Sequence, residues 1–421
     1  MRAGRPVFED FRGHGPERSS KTPRPPRPPR RPGSRRALAL LVPVLLLSAC
    51  ASDAPQDSLE PAGPIARTID NLVNPVFIIA AVVFVLVEFG VLYLVLRFRQ
   101  RKDDDPDELP GQTHGNTKLE IGWTVLPALL LGFVAFATLA TLFDIENTKD
   151  DGVTVQVTGQ QWWWEFTYDT NGDGDFTDED VLTANDLVIP AGQNVALEIK
   201  SRDVIHSFWI PKLNGKKDAV PGRTQPLMIN ADEPGTYVGQ CTEFCGLSHA
   251  YMRQRVVALA PDEFDAWLQD QRNAADEPTD EAAAAGAELF ASQCSVCHLA
   301  RGINDDQFKE GGDGTAELVS ENAPDLTHFV SRGAFAGATF NLWDDLDGDH
   351  IVEADEIGTD NGGELNRADL EAWLRDPPGQ KPMDPVTPEQ VDVGEQGRGM
   401  PNLNLSEEQI DQLVAFLQTL E

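Results

Sequence analysis

Thirteen consecutive residues, Gln240-Cys241-Thr242-Glu243-Phe244-Cys245-Gly246-Leu247-Ser248-His249-Ala250-Tyr251-Met252, hold two thiols, an imidazole, a thioether and a carboxylate. Thiolate and thioether ligands select copper, zinc or iron–sulfur, imidazole suits copper and zinc, and a Met beside them favours copper. Cys-x3-Cys alone also reads as a zinc loop or a redox pair. A copper site needs a further imidazole, and His206 in Asp203-Val-Ile-His206-Ser-Phe-Trp is the candidate. A second constellation is Cys294-Ser-Val-Cys297-His298, the spacing of c-type haem attachment: two thiols add to the vinyl groups and the adjacent His ligates iron. A thioredoxin-like pair is the other use of Cys-x-x-Cys, and the following His disfavours it. The opposite axial ligand of such a haem is a Met, with Met383 and Met400 as candidates.

The elements that must position these groups are of three kinds. From Gly152 the pattern has period two: Val153, Val155 and Val157, then Val195, Leu197 and Ile199, then Leu227 and Ile229, with Gly/Pro turns between. This predicts short strands in an antiparallel sandwich or barrel. In Trp162-Trp163-Trp164 side chains alternate faces along a strand, so Trp162 and Trp164 point opposite to Trp163 and not all three can be buried on one face. A short helix over 260–272 closes this unit, with Phe264, Trp267 and Leu268 on one face. A polar linker at 273–278 leads to helical segments around the haem motif. The last of these has Ser406 and Gln409 as a capping box and Ile410, Leu413, Val414 and Leu417 on one face.

Upstream, two apolar runs, Val76–Leu96 (broken only by Glu88) and Ile121–Phe143, are each long enough to span a bilayer. Arg97, Arg99, Arg101 and Lys102 place the intervening loop in the cytoplasm, so both outer ends face the extracytoplasmic side. Glu88 inside a span is either functional or satisfied by a partner helix. Residues 1–36 are Arg- and Pro-rich and read as disordered. The run Ala37–Leu47 is too short to span, follows basic residues, and reads as a secretory signal. Its end, Leu47-Ser-Ala-Cys50, resembles a bacterial lipoprotein signal, with Cys50 as the lipidated residue.

The formal net charge is −34, although residues 1–36 carry a local excess of positive charge. That field argues against nucleic acid and favours a cationic partner or a high-salt habitat. Two acidic runs have calcium-loop spacing. One is Asp169, Asn171, Asp173, Asp175 and Asp180, and the other is Asp345, Asp347, Asp349 and Glu356, where His350 stands in the usual Gly position. Neither has convincing flanking helices, and solvated acidic insertions are the alternative reading.

The pattern Cys-x-Glu-x-Cys-Gly-x-x-His-x-x-Met, preceded by Asp-Val-Ile-His-Ser-Phe-Trp, resembles subunit II of haem–copper cytochrome c oxidases. The resemblance covers about Cys50 to the C-terminus apart from the two acidic insertions. It implies a cupredoxin-like Greek-key β-sandwich after a two-helix transmembrane hairpin, and a dinuclear copper (Cu-A) centre. Cys241 and Cys245 would bridge the coppers, His206 and His249 would cap them, and Met252 and the Glu243 carbonyl would be weak axial ligands. Trp162 matches the residue where electrons enter. Glu120, in Leu119-Glu120-Ile-Gly-Trp123, matches the mouth of a proton path, with helix capping as its structural alternative. Glu243 would also place its carboxylate on magnesium, and Asp218-Ala-Val-Pro-Gly-Arg223 would support the contact with subunit I. Leu370-Glu-Ala-Trp-Leu-Arg-Asp-Pro377 and Met400-Pro401 resemble an all-α class I cytochrome c domain, which favours Met400 over Met383.

The expected organisation is a basic region and signal over 1–49, an extracytoplasmic linker over 50–75, the hairpin over 76–143, the copper domain over 151–272 and the cytochrome domain over 279–421. The expected function is that of subunit II of a caa-type oxidase, passing electrons from haem c to Cu-A and on to haem a, with oxygen reduction and proton pumping in the complex. Subunit I, subunit III, an upstream cytochrome donor and the membrane are the implied partners. Quinol-oxidase subunits of this family lack the copper ligands, which are present here. The alternative is a copper-handling or electron-relay lipoprotein outside any oxidase; a nitrous-oxide-reductase-type domain would leave the hairpin without a role.

Overall fold

A computed structural model of the chain describes residues 54–99, 114–177, 180–304, 323–358, 362–385 and 397–421. The expected signal, Cys50 and most of the expected cytoplasmic loop lie outside these residues. Two long helices come first, α1 (Pro64–Phe98) and α2 (Thr117–Glu146). Pro64 begins α1, where its missing N–H costs nothing, and Asn116 caps α2 by accepting from the Lys118 and Leu119 amides. Both helices are long and apolar enough to cross a membrane. Their large side chains, such as Phe84 and Leu126, are exposed along most of the length, as lipid or a partner helix requires.

The start of α1 is joined to the domain that follows. Ala62 donates its amide to the Lys212 carbonyl (2.8 Å) and accepts from the Asp232 amide (2.9 Å). Arg67 pairs with Asp232. A Cβ on Gly63 would lie 2.0 Å from the Asn230 carbonyl, so this close approach needs glycine. The helix therefore begins well before the apolar run, inside the stretch expected to be linker.

The β domain consists of β1 (Val153–Gln160), β2 (Trp163–Tyr168), β3 (Val181–Ala184), β4 (Asp186–Pro190), β5 (Val195–Ser201), β6 (His206–Phe208), β7 (Lys217–Ala219), β8 (Gln225–Ile229), β9 (Gly235–Gln240) and β10 (Arg253–Leu259). One sheet has the order β3-β2-β1-β5-β8 and another β4-β10-β9, with β6 and β7 as a separate ribbon. The pairings β1–β5 and β4–β10 are parallel and the others antiparallel, so the chain crosses between sheets as a Greek key does. Along β5 burial alternates, with Val195, Leu197 and Ile199 inside. Trp164 and Phe166 meet Phe208 edge-on at 5.4 and 6.4 Å. Helix α3 (Pro261–Asp270) closes one side, placing Phe264 and Trp267 against Tyr168.

β2 starts at Trp163, so Trp162 lies in the preceding turn and strand alternation governs only its two neighbours. All three Trp side chains are buried.

The C-terminal domain has a core of its own around Phe290, Trp343, Leu370, Leu413 and Phe416. Helix α4 (Glu281–Leu289) is capped by Asp280. Next come a short β11 (Ala334–Phe335)–β12 (Phe340–Asn341) ribbon and α5 (Arg367–Arg375). The last helix, α6 (Glu407–Leu417), carries the expected Ser406/Gln409 capping box. Helices α4 and α6 cross tightly: a Cβ on Gly286 would sit 2.1 Å from the Gln412 carbonyl, and Phe290 meets Phe416 at 5.2 Å.

The two domains are docked on each other despite the linker. Asp186 accepts from Arg255 (2.7 and 2.8 Å) and from the Gly333 amide (2.7 Å), while Arg255 also donates to the Val352 carbonyl (3.0 Å). Arg255 and Asp186 are both buried.

Candidate functional site

The loop between β9 and β10 brings the soft donors together. Cys241 Sγ and Cys245 Sγ are 3.8 Å apart. His206 Nδ1 lies 3.9 Å from Cys241 Sγ, and His249 Nδ1 lies 3.5 Å from Cys245 Sγ. Met252 Sδ is 3.7 Å from Cys245 Sγ, and the Glu243 carbonyl is 3.3 Å from Cys241 Sγ. Every sequence-predicted donor is thus present, with one imidazole on each sulfur. This donor set fits copper, which takes thiolate, thioether and imidazole ligands together. The two thiols interact electrostatically through their close contact. That contact lowers the Cys241 thiol and, together with burial, raises Cys245.

The scaffold fixes these groups. Cys241 donates its amide to the Met252 carbonyl (2.9 Å), closing the loop on itself, and the Thr242 amide donates to the Ser207 carbonyl (3.1 Å). Ser207 Oγ donates to Asp218 (2.8 Å), which ties the expected Asp218–Arg223 support to the loop. His206 Nε2 donates to Asp203 Oδ1 (2.8 Å), leaving Nδ1 for a metal. Burial opposes charge on this ring, but the Asp203 and Cys241 contacts outweigh it and raise His206. The other Asp203 oxygen accepts from the Gln161 amide (2.8 Å). Gln161 Nε2 and Trp162 Nε1 both donate to the Cys245 carbonyl, at 2.7 and 3.1 Å. Gly246, at φ +113°, lets that indole lie against the loop, where a Cβ would meet Gln161 Nε2 at 2.8 Å.

The haem motif sits on the turn after α4. His298 Nδ1 donates to the Pro324 carbonyl (2.8 Å), which orients the ring and leaves Nε2 free. Burial lowers the pKa of His298, keeping it the neutral imidazole a metal needs. Asn304 Nδ2 braces the turn by donating to Ser295 Oγ and to the His298 carbonyl, both at 2.9 Å. Cys294 is pushed up to about 12 by burial, with Cys297 adding to it. Met400 is partly buried and packs against this domain's core, an apolar setting compatible with a haem ligand. Met383 instead packs against the copper-domain core.

The first acidic loop joins β2 to β3. Asp169 accepts from the Gly172 and Gly174 amides (2.7 and 3.0 Å), and Asp180 accepts from those of Thr170 and Thr177 (3.0 and 2.9 Å). Asn171, Asp173 and Asp175 line the exposed turn between them. In the second loop, oxygens of Asp345, Asp347 and Asp349 lie within 4.8 Å of one another. Glu356 accepts from the Leu346 and Glu353 amides, and His350 adopts φ +73° where glycine is usual. Glu120 lies exposed in the first turn of α2, which Asn116 caps. Sequence reasoning did not single out Lys381 and Arg398, which reach the copper side from the cytochrome domain. Neither falls in a motif; the only hint was a Lys beside Pro382 and Met383.

Two spans, a Greek-key domain presenting a clustered thiolate–imidazole–thioether set, and a helical domain bearing Cys-x-x-Cys-His define a membrane-anchored copper and haem electron-transfer protein. Residues 153–259 match the family described as cytochrome c oxidase subunit II, periplasmic domain, 56–141 its transmembrane domain, and 283–421 cytochrome c. Cytochrome c oxidase subunit 2 of Alkalihalophilus pseudofirmus is 35% identical over 395 residues, 92% of this chain and 97% of that protein. The protein of the same name from Bacillus sp. strain PS3 is 31% identical, covering 77% and 80%. The solved periplasmic domain of subunit II from Bradyrhizobium japonicum is 28% identical, spans 30% of this chain and 96% of that one, and has a TM-score of 0.27. The chain belongs to the cytochrome c oxidase subunit II family, with a fused cytochrome c domain. It is therefore a subunit of an oxidoreductase complex, partnered by subunit I, anchored in the membrane with its β domain outside, and its domains are those that carry copper and haem c.

Proposed function

We propose that this chain is the electron-relay subunit of a caa-type oxidase. Cys294 and Cys297 would hold haem c to take electrons from an upstream cytochrome, and the copper loop would hold a dinuclear Cu-A centre for their passage to haem a of subunit I, where the complex would reduce oxygen to water with proton pumping. The observation that carries this reading is the convergence of Cys241, Cys245, His206, His249, Met252 and the Glu243 carbonyl, with donor-to-sulfur distances of 3.3–3.9 Å. These groups would hold the copper, which would supply one-electron redox chemistry, while Asp203 keeps the His206 ring turned. In the cytochrome domain Cys294, Cys297, His298 and Met400 would hold the haem.

Trp162 carries the electron onto the copper loop through its contact with the Cys245 carbonyl, and the tethered haem domain is its donor. The exposed Phe244 and Leu247 beside Glu243 form an apolar face suited to subunit I, and the Glu243 carboxylate binds magnesium there. Glu120 receives protons at the cytoplasmic end of α2, subunit III completes the complex, and lipid on Cys50 adds to the anchor. The two acidic loops bind calcium, which saturable uptake by calorimetry on the purified chain tests. The strong negative charge steers a basic donor, so its association rate falls with salt.

The deciding experiment is EPR and optical spectroscopy on the purified, matured protein. A hyperfine pattern from one electron shared over two coppers beside a low-spin haem supports the relay. A single-copper or EPR-silent site ends it. In the same preparation Met400→Ala abolishes low-spin Met ligation, whereas Met383→Ala leaves it intact. The reverse outcome reassigns the ligand.

A further inference from the structure

Between the two electron-carrying domains lies a buried cation that the roles above do not use. Lys381 is 3% exposed, and among the described residues no carboxylate pairs with it. Its Nζ donates to two backbone carbonyls on opposite sides of the domain boundary. One is that of Trp162, beside the copper loop (2.7 Å), and the other that of Ala336, on the wall of the haem domain core (2.8 Å). The surroundings are shaped to this contact. Gly337 adopts φ +75°, and a Cβ there would lie 2.5 Å from Lys381 Nζ, 2.6 Å from the Trp162 carbonyl and 3.1 Å from that of Tyr251.

Neighbouring bonds cross the same seam. The Arg253 amide donates to the Gly337 carbonyl (2.9 Å), Thr339 Oγ1 donates to the Tyr251 carbonyl (2.8 Å), and Ser248 of the copper loop donates to the carbonyl of Pro382, next to Lys381. On the copper side, Arg398 Nε stands 3.8 Å from Asp203, which holds His206.

Burying a lysine is costly, and here burial pulls it down to about 7. An apolar side chain would avoid that cost but strip the Trp162 carbonyl of this donor and leave the Ala336 carbonyl only the Thr339 hydroxyl, which also serves the Tyr251 carbonyl. Only a long side chain ending in several donors joins both.

We propose, resting on the relay reading above, that Lys381 is a positioning residue that clamps the haem domain onto the Trp162 face of the copper domain. The clamp holds the Ala336 wall against Trp162, whose indole already contacts the Cys245 carbonyl, so a bonded route from the haem domain to the copper loop stays inside one chain. It also keeps Trp162, at 5% exposure, away from any soluble donor.

The test compares Lys381→Met and Gly337→Ala, which attacks the same contact from the other side, in the assembled holo-complex. Amide hydrogen exchange is read over 249–255 and 334–341, with β1 as the internal control. The rate of electron transfer from haem c to copper after flash reduction is read with both midpoint potentials and the copper EPR signal. The clamp predicts faster exchange along the seam, unchanged protection of β1, unchanged EPR and potentials, and a several-fold slower transfer in both variants. Unaltered seam exchange and an unaltered rate in either assembled variant overturn it. If Lys381→Met fails to accumulate, Gly337→Ala alone decides. Absence of the dicopper signal in the unsubstituted protein would instead remove the relay reading, while the seam exchange still judges the clamp.

Discussion

The copper loop and the haem site solve the same problem in opposite ways. Five of the six copper-side donors come from one short segment, closed by the Cys241–Met252 backbone bond and seated on strands whose core extends well beyond the site. The haem-side groups come from distant segments. Cys294, Cys297 and His298 follow α4, while Met400 precedes α6, and Cys294 and Met400 are each only partly covered. A loop on a stiff sheet can assemble its ligands before the metal arrives. A pocket between helices depends on its prosthetic group to fill it.

The largest expected effect sharpens that contrast. Cys294→Ala with Cys297→Ala, which prevents haem attachment, should strip hydrogen-exchange protection from residues 323–345 and 397–405. Chelating copper from the parent protein should leave 241–252 nearly as protected as before. Equal losses at both sites would erase the distinction. Next in size, Asp186→Ala leaves Arg255 buried without its anion at the boundary where the domains meet, and should cost about 3–5 kcal/mol, read as a lower denaturation midpoint.

The copper loop should also answer to pH. Loading copper requires both thiols and both imidazoles deprotonated, and the Cys245 thiol and His206 ring are both held above their ordinary values. Acid therefore favours the metal-free form, and affinity should weaken by about tenfold per pH unit for each proton released. A competition titration over several pH values measures that slope; a flat profile would mean that the loop binds without releasing protons. The smallest effect is Ser406→Ala at the start of α6. The lost cap should cost about 1 kcal/mol and appear only as a modest shift in thermal unfolding of the haem domain.

The same contrast governs what could be read without coordinates. The copper loop was legible because its donors sit close together in the chain, and the fold because strand periodicity and Gly/Pro turns persisted across 153–259. The Trp162–Trp164 alternation was only half right, since the turn before β2 releases Trp162 from the strand's geometry. Met400 was favoured by its Met-Pro context, and it packs against the haem-domain core whereas Met383 packs against that of the copper domain. Lys381, Arg398 and the Arg255–Asp186 pair stayed hidden because tertiary burial, not local spacing, gives them their chemistry. A lysine in a chain this acidic reads as solvated until two carbonyls are found to enclose it. The length of α1 was hidden for a related reason, since its first turns are held by Asn230 and Asp232, far away in sequence.

That continuous first helix makes the membrane anchor a mast. Because Ile65 and Ala66 are already buried against the β domain and the same helix runs on to Phe98, the bearing of the copper face is set by helical phase, not by a swivel. Adding a single residue between Arg67 and Pro75 would turn everything above it by about 100° relative to the span below. The exposed Phe244 and Leu247 would then look away from whatever the lower part of the mast is moored to. Adding a full turn would restore the bearing but lift the copper loop by about 5 Å.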